Sequence, residues 1–315
     1  MFIGRVAELV DAHDSKSCTF GCVGSIPTPP TKQLRFNFKL FYFLSICDII
    51  ILLVNMSKVI SVVNQKGGVG KTTTAVNLAA GLSEAGKFVL LVDLDPQGNA
   101  TSGLGIKHAE LEKGLYHSIM GLHRLHDVVS NTAHAGLRVA PATPDLAGAN
   151  VELVSVEGRE MKLSDILSEV KHAYDYIIID CPPSLGILTL NGLVAADHVL
   201  IPVQAEYYAL EGLGQLLKTI ELVRDNIKPD LNVLGAVVTM FDSRNKLSGE
   251  VLQELNKFFP NNIFKSIIPR TVRLAEAPSF GQSIFHYEKN GKAARAYESL
   301  TQEFLNLFES NQPNI

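Results

Sequence analysis

The sequence predicts an α/β fold in which a mostly parallel sheet is covered by helices on both faces, giving three layers. Two observations carry this. Short runs of consecutive apolar residues recur from residue 59 onward, with segments of helical apolar spacing between them. The glycine-rich and acidic motifs fall directly after those runs. Strands that are apolar throughout are buried on both faces, and their alternation with helices makes them parallel. Ligands bind such sheets at the carboxyl ends of the strands.

Val59–Val63 is a β-branched run ending at Asn64 and reads as the first strand. The stretch Gly67–Gly70 follows. Thr72–Ala85 then carries Ala75, Leu78, Ala79 and Leu82 at helical spacing before Gly86 stops it. Phe88–Val92 is the next strand, closed by Asp93. Further strands are predicted at Leu137–Ala140, Tyr176–Ile179, Val199–Val203 and Val233–Thr239, with a weaker one at Ile263–Ile267. Helices are predicted at Leu163–Ala173, Leu210–Val223, Leu247–Phe258 and near Ala293–Phe308. No repeat or low-complexity linker interrupts this order, so residues 56–315 read as one domain.

The 315 residues are 46% apolar and 19% charged, which supplies a core and excludes global disorder. A net charge of −4, from 28 Lys and Arg against 32 Asp and Glu, excludes a globally basic nucleic-acid binder but not a local basic patch. Four Cys exclude a disulfide scaffold, and the absence of Trp argues against an aromatic sugar-binding platform.

Residues 1–55 differ from the rest. They hold Cys18, Cys22 and Cys47 and six of the 15 Phe. Leu40–Val54 is almost wholly apolar, but it is short for a bilayer span and contains Asp48. The start lacks the order of a signal peptide. A membrane anchor and a buried hairpin through Phe36, Phe38, Phe41 and Phe43 remain alternatives. The favoured expectation is an extension from a start site placed too early, with Met56 as the working first residue. The run from Arg5 to Thr28 looks like a conceptual translation of a transfer-RNA gene. Cys18 and Cys22 have no second pair to complete a metal site.

Lys66-Gly-Gly-Val-Gly-Lys-Thr-Thr73 lies between the first strand and the first helix. Glycines let backbone amides turn toward phosphate oxygens, and the helix N-terminus adds partial positive charge. Gly67, Gly68, Val69, Gly70, Thr72 and Thr73 are therefore candidate nucleotide contacts. Lys71 is placed to reach the β- and γ-phosphates, and the Thr72 hydroxyl to ligate Mg²⁺. The usual first glycine of such a loop is replaced by Gln65, and an extra lysine, Lys66, stands five residues before Lys71. Taken alone, Lys66 also reads as a solvated surface lysine. Asp93-Leu-Asp95 follows the second strand, where carboxylates suit metal binding and water positioning, though a turn or cap is the plainer reading. Tyr176-Ile-Ile-Ile-Asp180-Cys-Pro-Pro ends a buried strand in a carboxylate that can hold Mg²⁺ through water, with Gly186 leaving the following loop free to move. Cys181 reads as a small buried residue, since no His lies near to activate it. The nine His, including His117, His123, His126 and His134, show no ligand spacing and read as surface polarity.

The string Asn64-Gln-Lys-Gly-Gly-Val-Gly-Lys-Thr-Thr-Thr-Ala-Val-Asn-Leu78 resembles the deviant Walker A box of the ParA/MinD ATPases, most closely the ParA (Soj) partition proteins. The resemblance implies a P-loop NTPase that binds ATP with Mg²⁺ and hydrolyses it weakly. It implies that Lys66 crosses to the partner's ATP in a sandwich homodimer. It makes Lys66, Lys71 and Asp95 the catalytic set, with Asp95 orienting the attacking water. Asp93 then sits by the Mg²⁺ shell with Thr72 and Asp180. Pro269 and Arg270 match residues beside the adenine. Arg244 and Arg273 match arginines that bind double-stranded DNA without sequence preference, although alone they read as solvated ion pairs. The implied partner is a ParB-type centromere-binding protein, and the implied place is the cytoplasm, on the nucleoid. A MinD-like membrane-positioning ATPase and a regulatory module with vestigial hydrolysis are the alternatives. Against the membrane reading, Glu298–Ile315 has acidic residues and no Lys or Arg.

Overall fold

The structure, a computed structural model, describes residues 57–206, 212–260 and 262–309. The expectations for residues 1–55, including Leu40–Val54 and the cysteine pair, lie outside the described residues.

Among the described residues seven strands form one sheet in the order β3-β4-β2-β5-β1-β6-β7. They are β1 (Lys58–Val62), β2 (Val89–Asp93), β3 (Ser130–Asn131), β4 (Leu137–Ala140), β5 (Tyr176–Asp180), β6 (His198–Gln204) and β7 (Asn232–Thr239). All pairings are parallel except that of the two-residue β3 with β4. The central strands are buried along their whole length, as continuous apolar runs require.

Alternation within β1 assigns the two cores. Ile60 and Val62 face one layer, built from α1 (Lys71–Glu84) and the C-terminal helix. Val59 and Val63 face the other, which contains α5 (Leu146–Glu152), α6 (Lys162–Ser168), α7 (Ile187–Ala195), α8 (Leu213–Asn226) and α9 (Lys246–Phe258). Short helices α2 (Asn99–Gly103), α3 (Leu115–Ile119) and α4 (Leu125–Val128) fill the β2-to-β3 connection. After β7 the chain adds α10 (Val272–Glu276), α11 (Ile284–Tyr287) and α12 (Lys292–Glu309). Tyr297, Leu300 and Phe304 of α12 are buried against α1 and the sheet. The apolar face of α12 is thereby spent on the core, where a buried Phe is worth about 3–5 kcal/mol against Ala. Among the described residues no helix is long and apolar enough to cross a membrane.

Three expectations need correction. Ile263–Ile267 is not a strand: it touches β7 through a bridge between Ala236 and Ile263 only. Its next amides turn away, because Glu303 of α12 accepts hydrogen bonds from Lys265 N (2.7 Å) and Ser266 N (2.9 Å). The chain regains β7 at Ile268, whose N–H donates to Val238 O, and lies beside Phe241 at Pro269 and Arg270. The helix expected at Leu163–Ala173 ends at Ser168, and a separate 3₁₀ turn covers Lys171–Ala173. Ser57 Oγ caps that turn by donating to the carbonyls of Lys171 and Tyr174. Finally, His134 is not surface polarity, since its side chain is buried.

Candidate functional site

The carboxyl ends of β1, β2, β5 and β7 converge on the loop between β1 and α1. Asn64 closes β1 and holds both sides of the turn: its amide donates to Pro202 O (2.8 Å) and its Oδ1 accepts from Lys66 N (3.0 Å). Gly68 (φ 72°) and Gly70 (φ 84°) take left-handed backbone that side-chain-bearing residues rarely adopt. A Cβ built on Gly67 or Gly68 meets nothing within 4 Å, so the loop faces open space. Thr239, the last residue of β7, pins the loop from the other side, its Oγ1 donating to Val69 O (2.7 Å).

Lys71, at the first turn of α1, is 6% exposed. Its Nζ donates to Lys66 O (3.0 Å), bending back over the loop. Burial lowers its pKa, while Asp180, Asp95 and Cys181 oppose that fall. The Lys66 side chain is half-buried and makes no ion pair among the described residues.

Asp93 and Asp180 are register partners at the ends of β2 and β5. Asp93 is fully buried. Its Oδ2 accepts from Thr101 N (2.7 Å) and Thr101 Oγ1 (2.6 Å), and its Oδ1 from Asp95 N (3.3 Å). Even so, burial pushes its pKa up to about 6, the Asp95 charge adding to the rise. Asp180 is equally buried, and among the described residues neither of its oxygens has a donor at hydrogen-bond geometry. Burial first, then the Asp93 charge, raises its pKa well above the usual value; the nearby Thr72 hydroxyl and Lys71 ammonium pull the other way. Asp95 Oδ1 accepts from Gln97 N (3.0 Å), and its Oδ2 has no protein donor among the described residues. Cys181 is buried against Ser61 and its thiol is pushed up to about 12, which leaves it inert.

Beside the loop lies a cavity of about 270 Å³ lined by Gly70, Thr73, Thr239, Met240, Pro269 and Arg270, among others. Met240 has φ 52°, rare for a residue with a side chain and typical of a constrained ligand-facing turn. The loop set and the Pro269/Arg270 pair are thus brought together. Arg244 and Arg273 are not part of this cluster. Arg244 makes a two-pronged pair with Asp242, Nε to Oδ1 (2.9 Å) and Nη2 to Oδ2 (2.7 Å), which holds the Asp242 pKa down at about 2. Arg273 pairs with Glu276 (2.9 Å) and Glu288 (3.6 Å). Sequence reasoning missed Thr239, Met240 and Thr101. Thr239 and Met240 open the run that leads to Arg244, and Thr101 closes the run that starts at Asp93, but the sequence attaches no role to them, and only the sheet brings them to the loop.

A glycine loop at a parallel strand's end, a lysine folded over it and buried carboxylates on neighbouring strands define a P-loop nucleoside triphosphatase. The profile of a family described as an AAA domain matches residues 57–233. The chain is 52% identical over 248 residues to the sporulation initiation inhibitor protein Soj of Bacillus subtilis, covering 79% of this chain and 98% of that one. It is 51% identical over 250 residues to the chromosome partitioning protein ParA of Myxococcus xanthus, covering 79% and 88%. The chain belongs to the ParA/Soj partitioning ATPases. Among solved structures, cobyrinic acid a,c-diamide synthase from Mycobacterium smegmatis with bound ADP and magnesium superposes with a TM-score of 0.73 at 38% identity, over 82% of this chain and 97% of that one. The septum site-determining protein MinD of Pyrococcus horikoshii, complexed with Mg-ADP, gives 0.67 at 24% identity over 82% and 100%, a likeness of fold alone.

Proposed function

We propose that this chain is the ATP-driven switch of a DNA-partitioning system, closing as a homodimer on ATP, holding DNA without sequence preference, and letting go after hydrolysis stimulated by a ParB-type partner. The observation that carries the reading is the division of labour between two lysines five residues apart. Lys71 is buried and folded onto its own loop, whereas Lys66 starts from the rim with no carboxylate to hold it among the described residues. A lysine so placed is free to reach phosphates bound by a second copy.

The loop amides and Lys71 bind the phosphates of ATP, and Pro269 and Arg270 flank its base in the adjoining cavity. Magnesium fits on a structural ground: the donor-free oxygens of buried Asp180 are the kind a hydrated cation satisfies, with Thr72 and Asp180 to hold it and Asp93 behind. When bound, it neutralises charge on the β- and γ-phosphates. Asp95 accepts a hydrogen bond from the attacking water and orients it in line with the γ-phosphate. Thr101 anchors Asp93 at the base of the same turn, so a change at the γ-phosphate has a short path into the loop after β2. Arg244 and Arg273 exchange their exposed carboxylate partners for DNA phosphates; such exposed pairs are weak. A protein working in this way resides in the cytoplasm, on the nucleoid.

The test is binding of the purified protein to random-sequence duplex with ADP or ATP across a salt series. Four arginines from two protomers predict a log–log salt slope of about −3 to −4 with ATP and little binding with ADP. Arg273→Glu removes DNA binding and spares ATP binding, and Asp95→Ala holds the DNA-bound state by stopping hydrolysis. ATP-driven dimerisation without any DNA binding would overturn the DNA arm and favour a protein- or membrane-positioning ATPase.

A further inference from the structure

At the end of α1 remote from the glycine loop, three side chains from distant parts of the sequence meet. Glu84 is the last residue of α1, His134 lies just ahead of β4, and His286 lies in α11. One oxygen, Glu84 Oε1, stands 3.6 Å from His134 Nδ1 and 3.6 Å from His286 Nε2. The imidazole rings stack with centroids 3.6 Å apart. A ligand atom from each of the three residues lies within 4.8 Å of the others.

His134 is 4% exposed, and among the described residues its ring nitrogens meet no partner at hydrogen-bond distance, the Glu84 carboxylate standing just beyond it at 3.6 Å. A buried polar group in that condition is costly and calls for a ligand. Its backbone is meanwhile fixed with care. His134 N–H donates to Thr132 Oγ1 (3.1 Å), and Val89 N donates to Gly136 O (2.8 Å). Gly136 has φ 83°, and a Cβ there would stand 3.0 Å from Lys87 O, so only glycine lets this loop come so close to the α1–β2 turn. On the other side α11 is docked on α1 by Ile284 N donating to Asn77 Oδ1 (2.8 Å). His134 is thus held against the turn and strand that follow α1, and His286 is held on α1 itself.

We propose that Glu84, His134 and His286 form a binding site for a divalent first-row transition ion of the zinc class. Two imidazoles and a carboxylate are a borderline nitrogen and oxygen donor set, which suits zinc, cobalt or nickel better than magnesium. Metal–ligand bonds near 2.0–2.2 Å require the donor atoms to draw together to about 3–4 Å. His286 supplies that movement, since its side chain is 35% exposed and free to turn out of the stack. Glu84 also lines an open surface cleft of about 680 Å³ with Phe285, Lys289 and Glu298, which gives a hydrated ion a way in. A bound ion ties the end of α1, the loop before β4 and α11 together. The two residues after His286 contact the arginine face: Tyr287 donates to Glu276 Oε2 (3.0 Å), and Glu288 pairs with Arg273. The ion therefore steadies the carboxylates that compete for Arg273.

The experiment uses the full chain without a histidine tag, in excess Mg²⁺, titrated with Zn²⁺ by calorimetry and with Co²⁺ by visible absorption. The expected result is one Zn²⁺ per chain, and Co²⁺ bands of low coordination number, each weakened at least about tenfold in His286→Ala and in Glu84→Gln. Both substitutions lie on exposed side chains, and unchanged thermal unfolding without metal shows that each variant folds. Equal Zn²⁺ affinity in the parent and both variants overturns the site, as does a Co²⁺ spectrum that stays that of the hydrated ion.

Discussion

Asp180→Asn is expected to make the nucleotide-free protein more stable while abolishing its stabilisation by Mg-ATP. Asp93 sets the scale. It keeps three donors and its pKa still rises from 3.8 to about 6. That is about two units, or about 3 kcal/mol against the ionised form at pH 7. Asp180 is as deeply buried, stands in register with Asp93 and has no donor in hydrogen-bond geometry among the described residues, so burial and the Asp93 charge work against its ionised form in the same direction. Asparagine keeps the shape and removes the charge. It also deprives Lys71 of a carboxylate and buries an unpartnered amide, which offset part of the gain. The variant is therefore expected to be the more stable protein near pH 8, and in a domain of this size each 1 kcal/mol of that difference reads as about 2–4 °C in Tm. The sign with pH follows from a raised carboxylate. Its folded-state contribution is fully present below the unfolded value of 3.8 and is lost as pH rises through the folded pKa. The gap between variant and parent is therefore small near pH 4 and widens by up to about 1.4 kcal/mol per pH unit until Asp180 is ionised in the folded protein. Urea or thermal unfolding at several pH values, with and without Mg-ATP, reads both effects. A gap that does not change with pH, or a variant less stable than the parent at pH 8, refutes the reasoning.

Other perturbations have defined outcomes. Thr101→Val removes one donor to Asp93 and the acceptor for Ala142 N, and should cost about 1–3 kcal/mol at pH 7 but less at pH 5, where the Asp93 carboxyl is mostly protonated; chemical unfolding at the two pH values checks this. Thr239→Val removes the hydrogen bond to Val69 O and should weaken ATP binding several-fold with a stability loss of about 1 kcal/mol, read by nucleotide titration and urea unfolding. Glu276→Gln removes a carboxylate from Arg273 and should tighten ATP-dependent DNA binding a few-fold at low salt, an effect that fades as salt rises. Lys66→Ala should leave ATP binding by the monomer intact and remove ATP-driven dimerisation in sedimentation.

The strands that build the candidate site were legible because each is a continuous apolar run ended by a polar residue, as at Asn64, Asp93 and Asp180. The loop was legible because its glycines, lysines and threonines are adjacent in the chain. What was not legible depends on contacts between distant segments. Ile263–Ile267 has strand-like composition, but Glu303, some forty residues on, captures two of its amides. The clasp of Thr239 on the loop spans 170 residues. His134 looked like one polar residue among several, and only the fold sets it against Glu84 and His286. Lys66 and Lys71 were distinguished in the sequence by motif alone; their different burial adds a physical reason for different roles.

Among the described residues both margins of the sheet offer little backbone for pairing with another molecule. On one side the last strand is the two-residue β3, too short to template a neighbour. On the other, the free backbone of β7 is consumed by its own chain: Ala236 N donates to Asn262 O, Phe264 N to Ala236 O and Ile268 N to Val238 O, and Phe241 and Arg270 continue the seal. The proposed cycle of dimer closure and release would gain from this. Pairing through a backbone ladder spreads from one molecule to the next and is slow to undo, whereas contacts made by loops around a bound phosphate end when that phosphate leaves.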